Sequence, residues 1–483
     1  MSFDLTPELR RKLGYKLIDH IDAFYSSLPD RPVQLPAEQR TYGPLDEPMP
    51  EHGSDPQQAL DEICRDMIDQ GFHVPAANYF GLMNPTPTYM GFLGEALVAG
   101  LNPQLATLAR SQLASKIEIA TMRWIGARVG WPGAFNGTFT SGGNEANFSG
   151  LAMALTWKFP NAIEDGVATI GAQTVVYASS ESHHSLDKSA GLLGIGRKAL
   201  RRVPVNERLQ LDRSALDAAI EADLRAGRKP FCVVATAGTT SSGIIDDLQA
   251  IAEICRRHKL WLHVDGAYGA SLIFSDKHRH LIRGIEHADS ITIDPHKWLA
   301  VPFAAGVILT KNPEILERAF AVDAPYMPKA AGAVLPDNSR ISTQWTRRMN
   351  AMKLWLTLKV HGRKAYEEHI DLQMNLASRF ADWVSKSEHF ELSAAMVVPI
   401  VNLHLKGVAD PKQRAALHNA IVEEVTRDGR RWISETIANG ESVIRVMIIS
   451  YLTEERHVAA LQEAMSAAAA KFRSRPVSLQ PKT

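Results

Sequence analysis

The sequence is poor in cysteine, carries no excess charge of either sign and has no long apolar run. Three of its 483 residues are cysteines, Cys64, Cys232 and Cys255, without CxxC spacing, which favours reduced thiols over a disulfide framework. Lys plus Arg and Asp plus Glu both number 53, so bulk charge would not draw the chain to nucleic acid or an anionic membrane. No run reaches the roughly 18 apolar residues of a membrane span, and MSFDLTPELRRK at the start lacks a signal-peptide core. These absences predict a cytoplasmic protein that binds neither nucleic acid nor membrane.

The apolar residues that are present follow two different patterns along the chain. Residues 7–28 place six large apolar side chains at helical spacing, and this stripe needs a cover from the core or from a partner subunit. From about residue 134 to 310, the short apolar runs TVVYAS, FCVVATAG, LWLHVDGAY, SITID and AAGVILT alternate with helical stretches. Such alternation indicates a parallel sheet buried on both faces, whose ligands bind at the carboxyl ends of the strands.

The patterns divide the chain into four predicted parts. A smaller α/β unit follows the sheet, with the predicted strands FELSA, PIVNLHLK, RRWISET and SVIRVMIIS and a final helix. A polar, proline-containing tail closes the chain and is expected to be flexible. The predicted boundaries are 1–80 for an N-terminal helical segment, 81–370 for the large α/β domain, 371–474 for the small α/β domain and 475–483 for the tail.

The stretch SITIDPHKWLAVPF places Lys297 among apolar residues at the end of a predicted strand. Leaving an ammonium in such surroundings costs several kcal/mol unless it is paired or neutralised. An amine withdrawn from water is pushed towards its neutral form, which can attack a carbonyl carbon to form a Schiff base. For an isolated lysine, an amine that extends to water is about ten times more common than a reactive one. The neighbouring motifs must therefore show which of the two applies to Lys297.

The motif HVDGAYGAS ends another predicted strand with Asp265 and places the small residue Ala267 after it. A buried carboxylate must be paired or hydrogen-bonded. The protonated ring nitrogen of pyridoxal phosphate is one partner that fits, because an aspartate keeps this nitrogen charged and the ring can then accept electrons. For this aspartate considered alone, a structural role in a turn is about twice as favoured as a role in cofactor binding.

Three further strand ends carry polar or glycine-rich motifs. In TSGGNEAN, Gly142 and Gly143 lead into a helix whose first amides could hold a phosphate, although the motif is neither a P-loop nor a dinucleotide fingerprint. ESHHSLDK offers adjacent imidazoles, and ATAGTTSS offers adjacent threonine hydroxyls; a loop histidine or a polar turn explains each one alone. Together, the motifs close successive strands of one sheet in the order that a pyridoxal-phosphate site requires.

The chain resembles the pyridoxal-phosphate-dependent group II amino-acid decarboxylases, the family of aromatic-L-amino-acid, tyrosine, tryptophan and glutamate decarboxylases. The resemblance covers nearly the whole length, and DPHKWLAVPF and HVDGAYGAS are its most specific motifs. It implies the α/β fold called fold type I, similar to aspartate aminotransferase, with a mostly parallel central sheet, an N-terminal helical segment and a small C-terminal α/β domain. It also implies a homodimer with active sites at the subunit interface.

The resemblance assigns roles to individual positions. Lys297 would form the covalent link to pyridoxal 5'-phosphate, His183, in preference to His184, would stack on the ring, and Asp265 would hold the ring nitrogen. The other implied cofactor contacts are Gly143, Asn144, Thr240, Ala267 and His296, and the implied substrate contacts are Asn84, Pro85, Thr86 and Tyr326. No metal is implied.

The implied reaction is α-decarboxylation of an L-amino acid, with an aromatic one favoured, through an external aldimine and a quinonoid to the amine and CO2. In the family a loop tyrosine supplies the final proton, but counting back from Arg347 and Arg348 leads to the neighbourhood of Asn338, with no tyrosine close by. Tyr326 lies earlier in the same stretch, YMPKAAGAVLPDNSRISTQWTRR, which is also a candidate lid. Either His183 or another group supplies the proton, or the chain catalyses another reaction on the same scaffold, as an aldehyde synthase, a Cβ lyase or an aminotransferase. A binding protein without catalytic activity is a third hypothesis, which the presence of Lys297, Asp265 and His183 argues against. Arg445 is a candidate contact for the substrate carboxylate, and a structural ion pair explains it equally well.

Overall fold

The computed structural model describes residues 3–41, 48–323 and 336–473. In these ranges the helices are α1 Pro7–Ser27, α2 Pro56–Gln70, α3 Tyr89–Leu101, α4 Gln112–Val129, α5 Gly143–Lys158, α6 Ala162–Asp165, α7 Ser185–Leu192, α8 Arg213–Arg225, α9 Leu248–His258, α10 Ile315–Phe320, α11 Ala351–Lys386, α12 Pro411–Thr426 and α13 Glu455–Arg473. The strands are β1 Asn136–Thr140, β2 Thr174–Ser179, β3 Leu200–Val203, β4 Lys229–Thr236, β5 Trp261–Asp265, β6 Ser290–Ile293, β7 Gly306–Thr310, β8 Phe390–Leu392, β9 Ile400–Leu405, β10 Ser434–Ala438 and β11 Glu441–Met447. None of the helices in the described ranges combines the length and the apolar character that crossing a membrane needs.

Short polar side chains fix where many of the helices begin. In six helices the residue before the first turn accepts a hydrogen bond from the backbone N–H three positions later, which satisfies one of the amides that has no partner inside the helix. These caps are Thr6, Asp55, Thr88, Asp212, Asp247 and Asp410. Helix α5 differs, because Gly142 precedes it and no side chain caps its first amides. Its amino end is therefore available to a ligand.

The large domain is built on a seven-stranded sheet in the order β1-β7-β6-β5-β4-β2-β3. Strands β2 to β6 pair in parallel, whereas β7 runs antiparallel to both β1 and β6. Strands β2, β4, β5, β6 and β7 are almost entirely buried, as expected for a sheet covered on both faces. The fold-type-I architecture with a mostly parallel central sheet is thus confirmed.

The small domain has a four-stranded antiparallel sheet in the order β10-β11-β9-β8. Helices α12 and α13 and the second half of α11 cover it with a separate apolar core. Helix α11 runs through residues 370 and 371 and bends at Gly362, which has a positive φ of 75°. The predicted boundary at 370 therefore lies inside a continuous helix, and the domain limits remain predictions.

Most predicted strands are present, with shifted ends. Strand β5 ends at Asp265, where the sequence predicted the end of its strand, whereas β4 ends at Thr236, before the end of the run FCVVATAG. After β5 the backbone turns, because the Gly266 N–H donates back to the Val264 carbonyl oxygen at 3.0 Å. Strand β3 was not predicted, because only two of its four residues are buried. The predicted flexible tail, 475–483, lies outside the described residues.

Candidate active site

A cavity of about 240 Å³ lies at the carboxyl ends of β2, β4, β5 and β6, beside the amino end of α5. Parallel strands bring their ends to one edge of the sheet, so motifs far apart in the sequence meet there. Seven of the residues singled out from the sequence line this cavity: Gly143, Asn144, His183, Thr240, Asp265, Ala267 and Lys297.

Lys297 stands in the cavity wall with a partner that the sequence reasoning did not identify. Its Nζ lies 3.0 Å from Oδ2 of Asp294, and the lysine side chain is 24% exposed while the aspartate is 2% exposed. The loop places them together, since the Lys297 N–H also donates to the Asp294 carbonyl oxygen at 2.9 Å. The amine is therefore not isolated in an apolar pocket, because a buried carboxylate compensates its charge.

Asp265 ends β5 and is only 5% exposed. Its Oδ2 accepts a hydrogen bond from Asn147 Nδ2 at 2.8 Å, and its Oδ1 accepts one from the Ala267 N–H at 3.2 Å. Two donors satisfy part of the carboxylate, and the side chain still borders the cavity. It can therefore accept a further hydrogen bond from a protonated ring nitrogen.

His183 follows β2 and also borders the cavity. The backbone N–H of Ser185 donates to its Nδ1 at 3.1 Å, so the proton of the neutral ring lies on Nε2. Partial withdrawal from water lowers the pKa of His183, and nearby Lys297 acts in the same direction, while Asp265 opposes the shift. A neutral imidazole presents a flat, uncharged face to the cavity, which suits stacking on an aromatic ring.

The amino end of α5 forms a cradle beside Lys297. A Cβ added at Gly143 would lie 2.7 Å from Asp294 Oδ2, so only glycine lets the helix approach this closely. His296 does not line the cavity, but it supports the turn from below, because a Cβ at Gly142 would lie 3.3 Å from its Cε1. The Ala305 N–H donates to His296 Nδ1 at 3.0 Å, and burial lowers the pKa of His296.

The two adjacent threonines take different positions. Thr240 borders the cavity, whereas the Thr239 hydroxyl is buried and bound to Ser242 Oγ at 2.8 Å. Arg445 reaches this loop from the small domain and donates to the Thr240 carbonyl oxygen at 2.9 Å and to Ser434 Oγ at 3.1 Å. Burial lowers the pKa of Arg445 to about 10. Arg445 therefore ties the small domain to the site through hydrogen bonds.

The predicted substrate segment lies next to the cavity but does not line it. Met83 borders the cavity, while Asn84, Pro85 and Thr86 do not. The Thr86 hydroxyl is fully buried and lies within hydrogen-bond distance of the Pro75 carbonyl oxygen and of Ser450 Oγ. It therefore anchors the segment to the small domain. The predicted contact Tyr326 lies outside the described residues, as does the rest of the candidate lid up to residue 335.

Asn338 is the residue near which the resemblance leads one to expect a tyrosine. It is 5% exposed, and its Nδ2 donates to Ser115 Oγ at 3.1 Å. The same segment is held on both sides, because Leu108 N–H donates to Asp337 Oδ1 at 2.7 Å and Ser339 N–H donates to the Ala106 carbonyl oxygen at 3.0 Å. A carboxamide has no proton as acidic as that of a phenol, so Asn338 cannot supply a proton as a tyrosine would.

Several features of the site fit pyridoxal phosphate. The uncapped amides of α5 suit a phosphate group, and Lys297 suits an aldehyde carbon. Asp265 retains the capacity to bind a ring nitrogen. The buried Asp294 Oδ1 has no hydrogen-bond partner among the described residues, so it can still accept a hydrogen bond from a donor on a ligand. The residues present therefore match the groups of this cofactor.

Comparison with known proteins agrees with this fit. A family model described as the pyridoxal-dependent decarboxylase conserved domain matches residues 38–406. The aromatic-L-amino-acid decarboxylase of Bacillus atrophaeus is 31% identical over 454 residues, which are 93% of each protein. The 4-hydroxyphenylacetaldehyde synthase of Rhodiola rosea is 28% identical over 450 residues, 92% of this chain and 91% of that protein.

Solved structures show the same fold over the whole chain. The crystal structure of the Rhodiola rosea synthase has a TM-score of 0.86 at 27% identity and covers 97% of this chain and 99% of that one. The structure of Oryza sativa TDC with PLP and tryptamine has a TM-score of 0.90 and covers 98% of this chain and 100% of that one. Its identity is 24%, so this second likeness concerns the fold alone.

Proposed function

This chain belongs to the pyridoxal-dependent decarboxylase family and is therefore a pyridoxal-phosphate-dependent carboxy-lyase. On this basis we propose that it removes the α-carboxyl group of an L-amino acid. The expected products are the amine and CO2, and an aromatic substrate is favoured. The observation that carries the proposal is the cavity in which Lys297, Asp265 and His183 meet beside the α5 cradle. The Bacillus atrophaeus relative, named for aromatic substrates, supports the choice of side chain.

In this proposal four side chains prepare the reaction. The cofactor, when bound, would supply a conjugated cationic ring that accepts the electrons of the breaking carbon–carboxylate bond. Lys297 would hold the cofactor through its amine, and Asp294, 3.0 Å away, would pair with that amine whenever it is free and charged. Asp265 would hold a proton on the ring nitrogen, and the neutral His183 ring would lie against the ring. Holding the scissile bond and stabilising charge as it develops are the two contributions required of the protein.

The remaining contacts position the cofactor and the substrate. The amides of Gly143 and Asn144 bind the phosphate, with His296 beneath the turn, while Thr240 and Ala267 border the ring. The segment of Asn84, Pro85 and Thr86 shapes the substrate pocket, with Met83 as its wall towards the cavity. Because the Thr86 hydroxyl is already bound, its contribution is to hold the segment in place.

A second candidate reaction is oxidative: the amino acid, O2 and water give the aldehyde, CO2, ammonia and hydrogen peroxide. The observation that favours it is Asn338, which stands near the expected place of the family's proton-donating tyrosine and has no acidic proton to give. The Rhodiola rosea relative, named as an aldehyde synthase, supports this route.

We also propose that the chain works as a homodimer with its active sites at the subunit interface. Helices α1 and α2 span 21 and 15 residues, yet neither contains a buried residue. Large apolar side chains on both helices remain exposed, among them Leu17, Ile18, Ile63 and Met67. A second subunit is the cover that such faces need.

A panel of L-amino acids tests both reactions in one experiment. The protein reconstituted with pyridoxal phosphate is assayed for CO2, amine, aldehyde and hydrogen peroxide, with Lys297→Ala as the inactive control. Amine and CO2 in equal amounts from an aromatic substrate are expected. Aldehyde with peroxide in place of amine would move the assignment to the oxidative reaction. Absence of CO2 from every amino acid would refute the decarboxylase proposal.

A further inference from the structure

A chain of buried hydrogen bonds leads away from Asp265 through the sheet. Asn147 Nδ2 donates to Asp265 Oδ2 at 2.8 Å, and Asn147 Oδ1 faces His263 Nε2 at 3.1 Å. His263 Nδ1 lies 2.8 Å from Ser290 Oγ, which also receives the Trp261 indole N–H at 2.8 Å. All five residues are at most 5% exposed. None of the sequence motifs indicated this arrangement.

The direction of every bond in the chain follows from its two ends. The carboxylate of Asp265 accepts only, so the amide nitrogen of Asn147 must face it and the amide oxygen must face His263. His263 then has to donate from Nε2 and accept at Nδ1. The indole of Trp261 can only donate, so the Ser290 hydroxyl accepts from Trp261 and donates to His263. All the donors therefore point towards Asp265.

Burial keeps the histidine of this chain neutral. It lowers the pKa of His263 to about 4, although Asp265 opposes the shift. A neutral imidazole with a single N–H is the form that the chain of donors requires. The groups that face it are Ser290, Thr292 and Asn147, and none of them is charged.

Asn147 also connects Asp265 with His183, two side chains that border the cavity in which the cofactor ring is proposed to bind. The second hydrogen of its Nδ2 bonds to Ser185 Oγ at 3.0 Å, and the Ser185 backbone N–H bonds to His183 Nδ1 at 3.1 Å. Besides His263 Nε2, the Thr292 hydroxyl also donates to Asn147 Oδ1, at 2.7 Å. The amide is thus fully satisfied and has one orientation.

Helix α5 fits closely over the histidine of this chain. A Cβ added at Gly150 would lie 2.5 Å from His263 Cε1. Gly150 is one turn after Asn147 on the helix that begins with the cradle. The absence of a side chain there allows the ring to lie between the helix and the sheet.

We infer that Asn147, supported by His263 and Ser290, is a positioning residue that holds Asp265 as an oriented anion for the ring nitrogen of the cofactor. The inference rests on the proposed role of Asp265 and deepens it. Dipoles aligned towards the carboxylate stabilise its charge, and a hydrogen bond to a charged group is stronger than one between neutral groups. Asn147 acts through Asp265 and needs no contact with the substrate.

The test reads the protonation of the ring nitrogen directly. Holoenzyme is prepared with pyridoxal phosphate labelled with 15N in the ring, and the 15N chemical shift is compared among wild type, Asn147→Leu and Asp265→Asn. Asp265→Asn marks the shift of an unprotonated nitrogen. We expect Asn147→Leu to move at least part of the way to that value and to weaken cofactor binding by about ten- to a hundredfold.

Two comparisons separate positioning from general damage. His263→Gln can still donate to Asn147 and should retain the wild-type shift, whereas His263→Leu should move it. Tyr177→Phe removes a hydrogen bond to another buried carboxylate, Asp223, at 2.7 Å, and should leave the shift unchanged. If Asn147→Leu does not fold, Gly150→Ala displaces the ring and gives the same readout.

The outcomes are distinct. A wild-type shift in Asn147→Leu together with an altered shift in Asp265→Asn would overturn the inference alone. A wild-type shift in Asp265→Asn would overturn the proposed role of Asp265, and the inference with it. An altered 15N shift in Tyr177→Phe would show that the loss of a buried hydrogen bond elsewhere also changes the shift, and would likewise overturn the inference.

Discussion

The Gly306→Ala substitution tests whether the α5 cradle binds the cofactor phosphate. Gly306 begins β7 and pairs with Thr140, the last residue of β1, two residues before the cradle. An added Cβ would lie 2.5 Å from Gly142 Cα and 2.5 Å from Thr140 Oγ1. Ordinary contact needs at least 3.4 Å, so the turn must move away by roughly 1 Å, a displacement large enough to lose a hydrogen bond.

The expected loss of affinity follows from that displacement. One hydrogen bond to a charged group is worth about 1.5–3 kcal/mol, so pyridoxal phosphate should bind roughly 10- to 100-fold more weakly. Cofactor affinity is measured by titrating the apoprotein and following its absorbance. The unfolding free energy should also fall by about 1–3 kcal/mol, the usual cost of overpacking.

Gly137→Ala is the matched control for this prediction. It lies on the same strand pair, and its Cβ would meet Leu309 Cδ2 at 2.6 Å and the Ile308 carbonyl oxygen at 2.7 Å, away from the cradle. It should destabilise the protein to a similar degree and leave cofactor affinity unchanged. Equal cofactor affinity in Gly306→Ala and the wild type would refute the assignment of the cradle.

Three further predictions concern stability and assembly. Glu118→Gln leaves Arg347, fully buried and 2.7 Å from the acid, without a charged partner and should cost about 3–5 kcal/mol in urea unfolding. Burial lowers the pKa of His418 to about 4. In the unfolded protein this histidine therefore binds a proton below about pH 6.5, whereas in the folded protein it stays neutral down to about pH 4. This group alone should remove roughly 3 kcal/mol of stability as the pH falls through that window, and His418→Gln should abolish that loss. Met67→Glu, on the exposed apolar face of α2, should shift the protein from dimer to monomer in size-exclusion chromatography with light scattering, whereas Arg65→Glu should not.

Each of these three has a result that contradicts it. Glu221→Gln removes an exposed pair with Arg225 and should cost under about 0.5 kcal/mol; an equal cost for Glu118→Gln would show that burial adds nothing. An unchanged slope of stability against pH in His418→Gln would remove that histidine from the acid response. A Met67→Glu protein that remains a dimer would place the interface elsewhere.

The sequence predicted the place of the site well, because strand ends can be read from composition. Asp265, His183 and Lys297 each follow a short apolar run, and parallel pairing brings such ends to one edge of the sheet. Strand direction could not be read in the same way. The run that forms β7 is equally apolar in either orientation, and only the structure shows that it is antiparallel to its neighbours.

Partners of buried groups were harder to predict. Asp294 lies three residues before Lys297, so a search for the acid that a buried lysine needs could have found it. Asn147 gave no signal, because an asparagine inside a helix does not reveal which neighbour it faces. Its partners Asp265 and His263 come from a strand more than one hundred residues away, and that separation is set by the tertiary fold alone.

The chemical role of Lys297 can be measured directly. The apoprotein is incubated with pyridoxal phosphate, reduced with borohydride and digested, and the pyridoxyl group is located by mass spectrometry. The site described above predicts one modified lysine, at position 297, and none in Lys297→Ala treated in the same way. A pyridoxyl group on another lysine, or an unmodified Lys297 in the reduced protein, would contradict the central claim.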